Sequence, residues 1–113
     1  MMKKIWLDSI DAGITICDKN GIITYLNEKA AADLSKYGGF KLLGKNLLDC
    51  HNESSKQILK DMFEKVSERI YTIEKEGVKK LICQKPFFEK DKFAGILEFV
   101  VVLPAEMPHY IRD

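Results

Sequence analysis

Cys50 and His51, side by side in "LLDCHNESSKQ" (residues 47–57), are the residues of this chain whose types most directly offer chemistry. A neutral imidazole can hold a metal or haem iron through one ring nitrogen. A thiol near a helix start can have a lowered pKa and become sensitive to oxidation. A nucleophilic Cys-His dyad is disfavoured, because adjacent residues usually point apart and no third group stands at a spacing that would orient the base. Two other readings stay open. His51 can bond loop backbone at the entrance of the following helix while Cys50 fills a small apolar gap, or both can touch a small organic ligand.

The elements around the pair decide between these readings. At 113 residues the chain is expected to form one domain with a single modest core. Its 18 basic and 17 acidic side chains leave a net charge of +1, so there is no basic excess of the kind that marks nucleic-acid binding. The longest apolar stretch, Phe99 to Leu103, is far shorter than a membrane span, and the N-terminus lacks the apolar core of a signal peptide. A cytoplasmic location is expected. The three cysteines, Cys17, Cys50 and Cys83, lack CxxC spacing and form neither a disulfide framework nor a zinc site.

Residues 3–11 place Ile5, Trp6 and Ile10 at near-helical spacing and read as a short amphipathic lead-in helix, with Trp6 as its packing anchor. "GITICDKNGIITYLN" reads as a β-hairpin whose turn holds Asp18, Asn20 and Gly21. Asn27 is a good N-cap for a helix over "EKAAADLSKY", which Gly38 and Gly39 stop. Residues 40–50 read as loop and short helical turns. The main helix carries Ile58, Leu59, Met62, Phe63 and Val66 on one side and is expected to run to about Glu68. Ser54 with Gln57 fits a capping box, and Asn52 is the rival cap.

Three strands follow, with turns at Glu76-Gly77 and at "EKDK" (89–92), and with Pro86 at a strand end, bulge or edge. In the last strand Phe93, Gly95, Leu97, Phe99, Val101 and Leu103 are assigned to one face. Ile96, Val100 and Val102, interrupted by Glu98, are assigned to the other. The expected fold is α+β: a five-stranded antiparallel sheet, in chain order β-β-α-α-α-β-β-β, with helices packed on one face. Its second face needs cover from the N-terminal helix, a second subunit, or both. Residues 1–11 would form the cap, 12–104 the domain and 105–113 a tail. There is no phosphate loop, GxSxG, HExxH or paired-carboxylate motif, so an enzyme is not expected.

In order and spacing, "GITICDKNGIITYLNEKAAADL", "LLGKNLLDCH" and "FAGILEFVVV" resemble the PAS domain, the small sensor fold of bacterial signalling proteins. "LLDCH" also resembles a PAS subgroup with a Cys-His pair at this point. Many PAS domains end in Asp-Ile-Thr before an output module. Here "VVVLPAEMPHYIRD" stands instead, which implies a free-standing sensor or adaptor, or a fragment. The resemblance implies a non-enzymatic module, expected to be a homodimer, with a small-molecule ligand or a signalling protein as further partners. It implies an internal pocket lined by Cys50, His51, Ile58 and Met62 on one wall and by Leu97 and Phe99 on the other. Asn27 and Gly21 would have structural roles. No cofactor is assigned. The alternatives are a haem- or metal-binding redox or gas sensor using His51, as in PAS domains that take a histidine from this region, and a purely structural dimerisation domain.

Overall fold

The computed structural model of the chain describes residues 6–50 and 52–113, and Cys50 by its backbone alone. Five strands, β1 (Gly13–Asp18), β2 (Ile23–Leu26), β3 (Arg69–Lys75), β4 (Val78–Glu89) and β5 (Lys92–Val102), form one antiparallel sheet in the order β2-β1-β5-β4-β3. The last strand of the chain thus lies at the centre, between the first hairpin and the second. The helices α1 (Glu28–Asp33) and α2 (Glu53–Lys65), with 3₁₀ turns at Ser35–Tyr37, Gly39–Leu42 and Leu47–Cys50, complete an α+β fold. No helix among the described residues is long and apolar enough to cross a membrane.

Local chemistry sets the hairpin and what docks on it. Asp18 Oδ1 accepts from the Asn20 and Ile22 amides at 2.9 and 3.0 Å, closing the reversal. Gly21 takes the positive φ this needs, and its carbonyl accepts from Leu47 N at 2.7 Å. Asn46 reaches back to the Asn20 carbonyl, so the segment leading into α2 is pinned to the turn. The turn joining β3 to β4 holds both Glu76 and Gly77 at positive φ. The turn joining β4 to β5 uses Lys90 and Asp91 in the same way without any glycine. Pro86 pairs with Ile96 on β5, but β3 pairing ends at Arg69 opposite Gln84. At Pro86 the other side of β4 is therefore a free edge, where a missing N–H leaves no gap in a ladder.

Asn27 is the N-cap of α1, its Oδ1 accepting from Ala30 N at 3.0 Å. Helix α1 ends at Asp33, and the remainder of "EKAAADLSKY" tightens into a 3₁₀ turn before Gly38 and Gly39. Asn52, not Ser54, caps α2, accepting from Ser55 N at 2.9 Å. Helix α2 stops at Lys65 rather than near Glu68. Val66 turns left-handed at φ 51°, and Ser67 N bonds back to the Met62 carbonyl. At the N-terminus the described part of the expected lead-in helix is a single 3₁₀ turn, Trp6–Asp8. Trp6 is 74% exposed and anchors no packing.

Two apolar clusters hold the helices to the sheet. One joins Ile23, Leu26, Ala30, Ala31 and Leu42; the other joins Cys17, Leu59, Met62 and Ile96. Strand β5 contacts them through Ile96, so its even-numbered residues from 96 to 102 face inward. Ala94 sits between Phe93, paired with Phe88, and Gly95, paired with Phe87, as an unpaired bulge. The bulge shifts the alternation by one. Phe93 therefore packs inward against the second cluster, with its ring 6.0 Å from Phe63, while Leu97, Phe99 and Val101 face outward.

Candidate functional site

The space between the inner sheet face and the helical layer is not filled. A cavity of about 150 Å³ lies there, walled by Ile23, Leu34, Leu42, Leu47 and Leu59, with Tyr37 at its rim. A narrow extension runs toward Cys17 and Ile96. A second hollow of about 220 Å³ adjoins it past Leu34 and Glu98, toward Asp33 and Lys80. Lys80 Nζ stands 3.9 Å from the Asp33 carboxylate at that end.

The floor is polar. Register places Thr15 opposite Glu98, and Glu98 opposite Gln84, so three polar side chains form a row across β1, β5 and β4 beneath an apolar roof. Gln84 Nε2 donates to Glu98 Oε2 at 2.7 Å. Gln84 is 7% exposed, and its Oε1 is buried with no hydrogen-bond partner. Leaving a buried acceptor unmet costs about 1–3 kcal/mol, and among the described side chains this is the one so left. Arg69 continues the row on β3 and lays its guanidinium 4.4 Å from the centroid of the Tyr71 ring. The Tyr71 hydroxyl is held above its ordinary pKa, first by burial and then by the Glu98 charge, with Arg69 and Gln84 opposing. Burial also raises the Cys17 thiol, which keeps it protonated and unreactive at neutral pH.

Asn27, 1% exposed, links this site to the N-terminal segment. Besides capping α1 it accepts from Ile14 N at 3.0 Å, and its Nδ2 donates to the Leu7 and Ala12 carbonyls at 2.9 and 2.8 Å. Gly21 holds the hairpin turn and lies away from the cavity. A Cβ there would stand 3.2 Å from Asn46 Oδ1.

The pocket residues expected from sequence fall in different places. Leu97 and Phe99 are a correction: they lie on the outer sheet face, because the bulge at Ala94 and the inward Ile96 fix the opposite parity. Ile58 is 38% exposed on the outer side of α2 and does not line the cavity. Met62 is buried, but it packs in the cluster beside the cavity. His51 and the Cys50 side chain lie outside the described residues. Sequence reasoning misses the polar trio Thr15, Gln84 and Glu98, although Glu98 is the lone charge within "FAGILEFVVVLP".

Among the described residues no group of His, Cys, Asp and Glu could hold a metal ion. The haem alternative rests on His51, which lies outside the described residues.

Solved structures share this architecture. The C-terminal domain of a Streptococcus mutans protein aligns with a TM-score of 0.69 at 22% identity, over 83% of this chain and 77% of that one. A sensory box sensor histidine kinase from Vibrio cholerae gives 0.64 at 17%, over 86% and 85%. The PAS domain of the histidine kinase ThkA gives 0.63 at 21%, over 81% and 99%. A Vibrio cholerae receptor described as a dual PAS-haem oxygen sensor gives 0.63 at 16%, over 82% and 95%. No curated protein matches the chain in sequence. The family profile described as the PAS fold matches residues 7–81, well over half of the chain. Together with the central β5, the capping Asn27 and the hollow under the helices, that match places the chain in the PAS family.

Proposed function

We propose that this PAS domain is a non-enzymatic signal sensor that binds a small molecule in its internal cavity. It passes the binding event through the sheet to a homodimer contact, within the cytoplasm. The sensor histidine kinases and receptors among its structural relatives support the sensing role. The observation that carries ligand binding is the cavity of about 150 Å³ with a carboxylate, Glu98, on its floor. A core serving only as a dimerisation scaffold has no use for such a void, because it forfeits packing contacts and leaves a polar group unmet.

Strand β5 supplies the output route. Glu98 faces the cavity, while its neighbours Leu97 and Phe99 face outward, Phe99 with 37% of its surface exposed. A ligand that favours one position of Glu98 shifts the balance of outer-face arrangements by its differential affinity for them.

Native mass spectrometry combined with a thermal-shift screen of small metabolites tests this reading. A bound molecule, or a stabilising hit lost in Leu59→Trp, whose ring occupies the cavity, is the expected result. A protein that carries nothing and is stabilised by nothing, with Leu59→Trp more stable than the parent, overturns it.

A further inference from the structure

We propose that the cavity selects a compact organic cation bearing at least two N–H donors, of the alkylammonium, amidinium or guanidinium class. Resting on the ligand-binding reading above, this names the chemistry of the ligand. Recognition comes from the Glu98 carboxylate, which Gln84 holds on the cavity floor. An ionised Glu98 can only accept hydrogen bonds, so the Gln84 amide must turn Nε2 toward it, as its 2.7 Å bond shows. That orientation turns Gln84 Oε1 away from Glu98 and into the packed protein. Oε1 is buried and unpartnered, and Gln84 is more than nine-tenths buried.

The floor therefore offers a carboxylate whose single bond from Gln84 Nε2 leaves acceptor capacity for a guest in the cavity. Such a surface satisfies donors and rewards positive charge, whereas it repels carboxylates and phosphates. The charge on Glu98 is not cancelled from within. Among the described residues no Lys or Arg forms an ion pair with it. Arg69 rests on the Tyr71 ring, and Lys80 at the far hollow faces Asp33.

Size and polarity complete the class. Walls of Leu59, Leu42, Leu34 and Ile23 require an apolar body behind the charged head. A cavity near 150 Å³ is of the size known to admit a benzene ring, which limits the ligand to a single small ring or short alkyl chain.

Isosteric probes of one shape test the charge requirement: benzamidine (cationic, with several N–H donors), benzamide (neutral) and benzoate (anionic). Each is titrated into the full chain by calorimetry, with thermal shift in parallel. Benzamidine is expected to bind at least tenfold more tightly than benzamide, with benzoate weakest. Glu98→Gln is expected to reduce that preference to within about threefold while benzamide affinity holds. Gln84→Leu, which leaves the charge, is expected to preserve the preference for benzamidine over benzamide. If benzamide or benzoate binds as well as benzamidine, the cation proposal is overturned and the ligand pocket stands. If no probe binds, the cation proposal is overturned, and if Leu59→Trp is stabilising as well, the ligand pocket falls with it. The wild-type ranking alone decides the charge requirement, so the test does not depend on any variant folding.

Discussion

Removing the Asn27 side chain should cost this domain a large part of its stability. Asn27→Ala deletes four hydrogen bonds at a residue 1% exposed. Loss of the N-cap on α1 costs about 1 kcal/mol. The Ile14 amide, left as a buried donor without a partner, adds about 1–3 kcal/mol. The Leu7 and Ala12 carbonyls lose their donor as well, for a further ~0.5–1 kcal/mol between them. The expected total is about 2.5–5 kcal/mol, against about 5–15 kcal/mol for a whole domain. At roughly 4 °C per kcal/mol for a chain of this length, the melting temperature should fall by about 10–20 °C. Urea unfolding followed by circular dichroism measures the loss directly. Asn27→Asp keeps both accepting contacts and loses both donating ones, so its stability should lie well below that of the parent and apportion the effect. A loss under about 1 kcal/mol in Asn27→Ala, or parental stability in Asn27→Asp, would refute the assignment of Asn27 as the buried tie between the N-terminal segment, β1 and α1.

Three further outcomes are expected. Gly95→Ala should destabilise by about 3 kcal/mol in the same unfolding assay, because a Cβ there meets the Cys17 carbonyl and the Phe87 ring, and backbone cannot yield as a flexible side chain does. A parental midpoint would contradict the close approach of β1 and β5. Burial and the hydrogen bond to Asp8, at 2.7 Å, push the Tyr25 phenol up to about 12, so absorbance titration should show late tyrosines, one fewer of them in Tyr25→Phe. The folded state then keeps a proton that the unfolded chain releases near pH 10. This contribution is full below pH 10 and is lost as pH rises toward 12. Phe99→Glu should convert the expected homodimer to monomer in sedimentation equilibrium while preserving ligand binding; an unchanged dimer would move the interface off this sheet face.

Much of the fold is legible because local signals and global packing agree in this chain. Asp18, Asn20 and Gly21 announce a reversal between β-branched runs, and Asn27 a cap, and each does that work in the structure. Glu76-Gly77 likewise marks the turn between β3 and β4. Helix ends are less visible. Val66 is β-branched, the kind of residue that disfavours left-handed backbone, so nothing in its type marks the end of α2. From Trp6 onward the N-terminal segment forms only a 3₁₀ turn, because nucleating a helix needs packing to offset its entropy, and Trp6 is largely exposed.

The site is less legible for a reason that a single residue explains. Strict alternation from Phe93 puts Leu97 and Phe99 on the face of Phe93, and Phe93 does face inward. One unpaired residue, Ala94, breaks that inference, since a slip of one position moves every later side chain to the opposite face. With the bulge in place, the inward set becomes Ile96, Glu98 and Val100, and the charge that interrupts an apolar strand becomes the floor of the cavity. A carboxylate at the centre of a five-stranded sheet, bonded to a glutamine whose own acceptor is unmet, weakens the core it sits in. The same strand carries Leu97 and Phe99 on its other side. Any guest that engages Glu98 therefore acts on the one strand that joins both hairpins and bears the exposed outer face.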